Sequence, residues 1–152
     1  MIYLACDHRG FGLKEGIKKL LGEQGTLYED MGDFFFDEDD DYVDFARAAA
    51  EKIAENPAEH KGIFLCGSGH GMDMVANKYR GIRAALCWNP QVTAESRKHE
   101  DGNVLVLPAD WLDEVAAKEI VLVWLGASFS DQDPHMRRLK KIEEMEHKNF
   151  CG

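Results

Sequence analysis

Positive charge and long apolar stretches are both scarce in this sequence. Lys and Arg number 18 against 28 Asp and Glu, for a net charge of −10. Phosphate-backbone binding needs a basic surface, so nucleic acid is excluded as a partner and an anionic membrane surface is disfavoured. A small anionic ligand remains compatible, because it needs only a local positive pocket. The longest apolar run, residues 120–125, is far too short to cross a bilayer. Paired cysteines are absent as well. The four cysteines stand at positions 6, 66, 87 and 151 with no CxxC spacing, which argues against a zinc finger or a redox pair. Cys6, Cys66 and Cys87 lie in or beside apolar runs and read as reduced, buried thiols. Met1 to Cys6 runs straight into Asp7-His8-Arg9 without a charged leader or a cleavage site, so the expected location is cytoplasmic. With no internal repeat and no linker, residues 1–152 read as one domain with a C-terminal helix at about 134–147.

What is present is a regular alternation of short apolar runs and helical patterns. Strands are expected at 1–6, 26–28 (weakly), 62–65, 82–88 and 103–107. Leu13, Ile17, Leu20 and Leu21 recur at helical spacing, and further helices are expected at 42–54, 72–78, 90–98 and 111–125. The strands read as continuous apolar runs, as strands buried on both faces do. The fold class is therefore α/β: a three-layer αβα sandwich around a five-stranded parallel, Rossmann-like sheet. Ligands of such sheets bind at the carboxyl ends of the strands.

Two segments end strands at that edge: Cys6-Asp7-His8-Arg9-Gly10-Phe11 and Cys66-Gly67-Ser68-Gly69-His70-Gly71. The glycines of the second, set between a strand and a helix, let backbone amides converge on a phosphate or a developing oxyanion. The run is not a Walker loop, a GxGxxG fingerprint or a GxSxG elbow. Cys66 at its head faces the amides, and its pKa is expected to fall near a helix start and suit acid/base work. The plainer reading is a packing thiol. Asp7 and His8 read either as a cap and anchor or as ligands of sugar hydroxyls and an anion. His99, in His99-Glu100-Asp101-Gly102-Asn103, precedes a strand, so only tertiary folding brings it to the same place.

The run from Asp33 to Asp41 joins three phenylalanines to a string of acids. It reads as a solvated loop whose phenylalanines tuck under the fold or a partner subunit. A divalent-cation site of carboxylates is the sharper alternative, but the run lacks the glycine and final glutamate of a calcium loop.

Together these segments resemble the ribose-5-phosphate isomerase B family, which also contains galactose-6-phosphate isomerase subunits. The matching residues include Asp7-His8-x-Gly10-Phe11, Asp41-Tyr42-x-Asp44-Phe45-Ala46 and Gly62-Ile63-x-Leu65-Cys66-Gly67-Ser68-Gly69-x-Gly71. They continue through Ala76-Asn77-Lys78, Gly81-Ile82-Arg83-Ala84-Ala85-Leu86-Cys87, His99-x-Asp101-x-Asn103 and Trp124-Leu125. The resemblance implies an aldose–ketose isomerase acting on a sugar phosphate, with Cys66 moving a proton between C1 and C2. It implies Ser68, His99 and Asp7 as further catalytic residues, with His99 assisting ring opening. The amides of Gly67, Gly69 and Gly71, with His70, would line the enediolate pocket. His8, Tyr42, Arg137 and Arg138 would bind substrate, and Arg9 and Glu100, which are this sequence's own departures, are further candidates for substrate binding. No metal or organic cofactor is implied, and a homodimer or homotetramer with sites at subunit junctions is.

Some positions depart from the family pattern. Asp110 and Pro134 stand where the family commonly has arginines, Glu100 where it has Asn, and Arg9 where it has a small residue. On these departures, either Arg9, Arg137 and Arg138 rebuild a phosphate site, or the substrate is altered, or the chain is a non-catalytic sugar-binding subunit. A metal-assisted variant through His70, Asp73 and His99 is a weaker alternative.

Overall fold

The structure, a computed structural model, describes residues 1–150; Cys151 and Gly152 lie outside the described residues. The chain runs β1 (Ile2–Cys6), a 3-10 turn (His8–Gly10), α1 (Phe11–Glu23), β2 (Tyr28–Asp30), α2 (Tyr42–Ala54) and β3 (Lys61–Cys66). It continues through α3 (His70–Ala76), β4 (Ala84–Leu86), α4 (Pro90–Glu100), β5 (Val104–Pro108), a second 3-10 turn (Ala109–Trp111), α5 (Glu114–Gly126) and α6 (Asp133–Asn149). The strands form one wholly parallel sheet in the order β2-β1-β3-β5-β4. The chain leaves β1 in one direction for β2 and returns past it to β3. The carboxyl ends of β1 and β3 therefore flank a topological switch point, where such sheets open a crevice.

Alternation along the strands divides the core in two. Ile2, Leu4 and Cys6 of β1, Ile63 and Leu65 of β3, and Leu105 and Leu107 of β5 pack with α1 and α5. Tyr3 and Ala5, Phe64 and Cys66, and Val104 and Val106 pack on the other face against α2 and α3. This is the period of two expected of a pleated strand, and both sets are apolar because helices cover both faces. Each fully buried Leu or Ile contributes roughly 1.5–3 kcal/mol. Alanines 46, 49 and 50 let α2 lie close to the sheet. No helix is long and apolar enough to cross a membrane among the described residues.

Several family-like residues turn out to hold the scaffold together. Asn77 caps α3 and turns its side chain onto the edge strand β4. Its Nδ2 donates to the carbonyls of Asp73 and Ala84 (3.1 Å each), and its Oδ1 accepts from Ala84 N–H at 3.0 Å. The side chain thus occupies backbone groups that an edge strand would otherwise leave open. Asn103 binds two segments, accepting from Arg83 N–H and donating to the carbonyls of Pro57 and Gly81. Asp101, left-handed at φ 46°, receives Arg83 and Arg97. Arg97 is buried against Trp124 and closes the end of α4 through the Gly102 carbonyl.

Three of the boundaries that differ from expectation have a visible cause. β2 lies at Tyr28–Asp30 rather than 26–28, because Gly25 turns the chain at φ 64° and Thr26 N–H still bonds Leu21 O. β4 is only Ala84–Leu86, since an edge strand has a single neighbour and Arg83 is held sideways by the Glu100 and Asp101 carbonyls. α5 begins at Glu114 because Asp113 accepts from Ala116 N–H as its N-cap, leaving Trp111 in the preceding turn.

Candidate active site

The pairing register sets the ends of β1, β3 and β5 side by side. Cys6 lies opposite Leu65, and Cys66 opposite Pro108. The turns that follow, Asp7-His8-Arg9-Gly10, Cys66-Gly67-Ser68-Gly69-His70-Gly71 and Pro108-Ala109-Asp110, thus meet at one edge of the sheet. Gly10 has to be glycine: a Cβ there would lie 2.5 Å from the Leu65 carbonyl oxygen. Gly69 turns the chain into α3 at φ 80°, a left-handed conformation that glycine alone adopts without strain.

Cys66 is 4% exposed on the α2/α3 side of β3. Burial pushes its thiol above the ordinary value of 9.0, while the N–H groups of Met72, Gly69 and Gly71 point at the sulfur and pull the other way; nearby Asp7 adds to the rise. The expected lowering near a helix start is therefore not observed: desolvation outweighs the amides. The Tyr42 ring lies over Gly71, where a Cβ would come within 2.5 Å of it. Ser68 and His70 are exposed on the same turn, and Ser68 Oγ accepts from His70 N–H at 3.4 Å.

Asp7 is buried and accepts from Gly10 N–H at 3.0 Å, so it caps the 3-10 turn. Burial raises its pKa, and neighbouring Asp40 acts in the same direction. His8 is gripped by Asp40, whose two oxygens take the ring Nδ1 and the backbone N–H at 2.6 Å each. That hydrogen bond raises the His8 pKa. Asp40 comes from the acidic run, whose role was not legible in sequence. The three phenylalanines of that run are not tucked under this chain. They are 59–75% exposed, with Phe36 edge-on to His8 and Phe34 over the Lys14 ammonium. Lys14, wholly buried, is satisfied by Asp30 and the Asp33 carbonyl. Arg9 forks onto Asp110 through Nε and Nη2, so the cation and the acid that both break the family pattern pair with each other.

His99, Glu100, Arg137 and Arg138 lie elsewhere. α4 starts beyond the carboxyl end of β4 and returns to the amino edge, where Asn103 O accepts from Gly62 N–H. The four steps of β3 from Gly62 to Cys66 span about 13 Å. His99 sits at that far edge, its ring 4.5 Å from His135 at the start of α6, which also carries the exposed Arg137 and Arg138. One chain therefore does not bring these four residues to Cys66. The metal set of His70, Asp73 and His99 fails for the same reason. Asp73 Oδ1 is buried and unpartnered, and burial raises its pKa. Among the described residues, the one cluster with metal-ligand proximity is Asp7, His8 and Asp40, within 4.8 Å of one another. Its His8 and Asp40 already bond each other.

The family model described as Ribose/Galactose Isomerase matches residues 2–142. The chain is 37% identical to ribose-5-phosphate isomerase B of Escherichia coli over 147 residues, 97% of each protein. It superposes on the crystal structure of ribose-5-phosphate isomerase B from Mycoplasma genitalium with bound ribulose-5-phosphate at a TM-score of 0.94, with 36% identity over 97% of each chain. The ribose-5-phosphate isomerase B of Clostridium thermocellum gives 0.90 at 37% identity, again over 97% of each.

Proposed function

The chain belongs to the Ribose/Galactose Isomerase family, and on that premise we propose that it interconverts ribose 5-phosphate and ribulose 5-phosphate with Cys66 as the acid/base. The observation that carries this reading is the placement of Cys66: a nearly inaccessible thiol at a switch-point strand end, at the head of the glycine turn that leads into α3. In the open-chain aldose, the thiolate takes the C2 proton, and the C2–H electron pair forms the enediolate double bond as O1 gains negative charge. The glycine-turn amides and Ser68 stabilise that oxygen. A proton then passes from O2 to O1, and as the O2 charge forms the C2=O bond the C1=C2 electron pair takes the thiol's proton at C1, giving the ketose and regenerating the thiolate. Tyr42 and Asp7 border the sugar, and His8, held by Asp40, faces an anionic group.

The rest of the site comes from a second copy of the chain. His99, which would assist ring opening, and Glu100, Arg137 and Arg138 lie at the opposite edge of their own sheet. A dimer or tetramer that sets one copy's amino edge against another's carboxyl edge supplies them. The turns after β4 and β5 carry exposed Trp88 (56%) and Trp111 (80%), and Phe36 and Tyr42 are exposed as well, apolar surface suited to such contact. Free, buried Cys6, Cys66 and Cys87 support a cytoplasmic setting.

The test is an aldose–ketose assay on phosphorylated pentoses and hexoses, run in D2O to follow proton exchange at C1 and C2. Wild type turns over ribose 5-phosphate with exchange, and Cys66→Ala loses at least about a thousandfold in kcat. Full activity in Cys66→Ala would remove the thiol from the mechanism.

A further inference from the structure

The turns that meet at the carboxyl edge carry two strongly basic or ion-paired side chains, His8 and Arg9, and each is matched by a carboxylate from a distant loop. Asp40 holds His8 at 2.6 Å. Asp110 receives the Arg9 guanidinium on both oxygens. His70, the remaining imidazole, neighbours Asp73, and Asp7 adds a further acid. Within one chain, this edge is thus charge-balanced or negative rather than positive.

The Arg9–Asp110 pair is seated rather than floating. Asp110 N–H donates to Gly67 O at 3.0 Å, and a Cβ on Gly67 would lie 2.6 Å from Arg9 Nε, 2.8 Å from its Cζ and 2.8 Å from Asp110 Oδ2. The pair therefore lies flat on the residue that follows Cys66. A phosphate dianion approaching Arg9 meets the Asp110 carboxylate at similar distance, and the two fields nearly cancel. A hydroxyl meets no such opposition: the guanidinium keeps free N–H donors, the carboxylate keeps free lone pairs, and a hydroxyl uses both.

We propose that Asp110 is a specificity-determining residue: it holds Arg9 charge-neutral at the mouth of the site, so that a sugar ending in a free hydroxyl is accepted as well as one ending in a phosphate. This rests on the isomerase reading for its substrates, but the charge cancellation stands on geometry alone. A purely orienting role for Asp110, aiming Arg9 at a phosphate, makes the opposite prediction.

The experiment compares wild type, Asp110→Asn and the Arg9→Gln/Asp110→Asn double variant. Asparagine keeps an acceptor for Arg9 and removes the charge. Inorganic phosphate binding is measured by calorimetry, and kcat and KM are measured for ribose 5-phosphate and for ribose. Asp110→Asn is expected to bind inorganic phosphate about tenfold more tightly. It is also expected to raise the ribose 5-phosphate to ribose ratio of kcat/KM about tenfold through KM, with both gains absent in the double variant. Unchanged or weaker phosphate binding in Asp110→Asn overturns the proposal, as does a wild type that turns over ribose 5-phosphate but not ribose. Tighter phosphate binding in a protein that isomerises neither sugar upholds the charge cancellation and overturns the isomerase reading instead.

Discussion

At the scale of single residues, Cys66 is where the chemistry and the physical environment pull in opposite directions. A base must be deprotonated to work, yet burial holds this thiol above 9.0 in spite of the three N–H groups aimed at it. The thiolate is therefore the minor form near neutrality and grows about tenfold per pH unit. Because kcat/KM reports the free enzyme, its logarithm for the aldose-to-ketose direction should rise with unit slope from pH 7 to pH 9 and bend only above that. A profile already flat across this range contradicts Cys66 as the titrating base. The strand-end position of Cys66, the glycine turn and the Asp7-His8 pair were legible in the sequence because each is local. The partners of His8 and Arg9 were not: Asp40 and Asp110 lie 32 and 101 residues away. Nothing in local spacing announces such contacts. The signals that existed were indirect, namely an acidic run with no evident use and two departures, Arg9 and Asp110, of opposite sign.

At the scale of elements, the legible part was what periodicity controls. Continuous apolar runs marked the central strands because helices cover both sheet faces, and helical spacing marked α1, α2 and α5. The ends were less legible because caps and neighbours decide them. Trp111 reads as helical by composition, but Asp113 captures Ala116 N–H and starts α5 later. β4 reads as seven residues and pairs over three, for want of a second neighbour. Asn77 compensates for part of that missing neighbour with its amide. Asn77→Ala should therefore cost about 1–2 kcal/mol in urea unfolding, from the loss of bonds to both backbone groups of Ala84. It should also speed hydrogen exchange at Ala84 more than at Val106 in the sheet interior. Equal exchange at both positions would mean that the side chain does not guard the edge.

At the scale of the whole molecule, the sheet separates the residues proposed for catalysis. Cys66, the glycine turn, Tyr42 and His8 gather at the carboxyl edge, whereas His99, Glu100 and the α6 arginines lie at the amino edge, about the length of a strand away. No side-chain movement within one chain closes that gap, so the proposed site requires two copies that complete each other. The most direct test is subunit complementation. Cys66→Ala and His99→Ala proteins are each prepared, unfolded, mixed in equal amounts, refolded together and assayed on ribose 5-phosphate. If sites span two chains, half the dimers form from unlike copies and each holds one intact site, so mixing should restore about a quarter of wild-type activity to two impaired proteins. A mixture no more active than its components, or a fully active monomer, would contradict a site shared between copies.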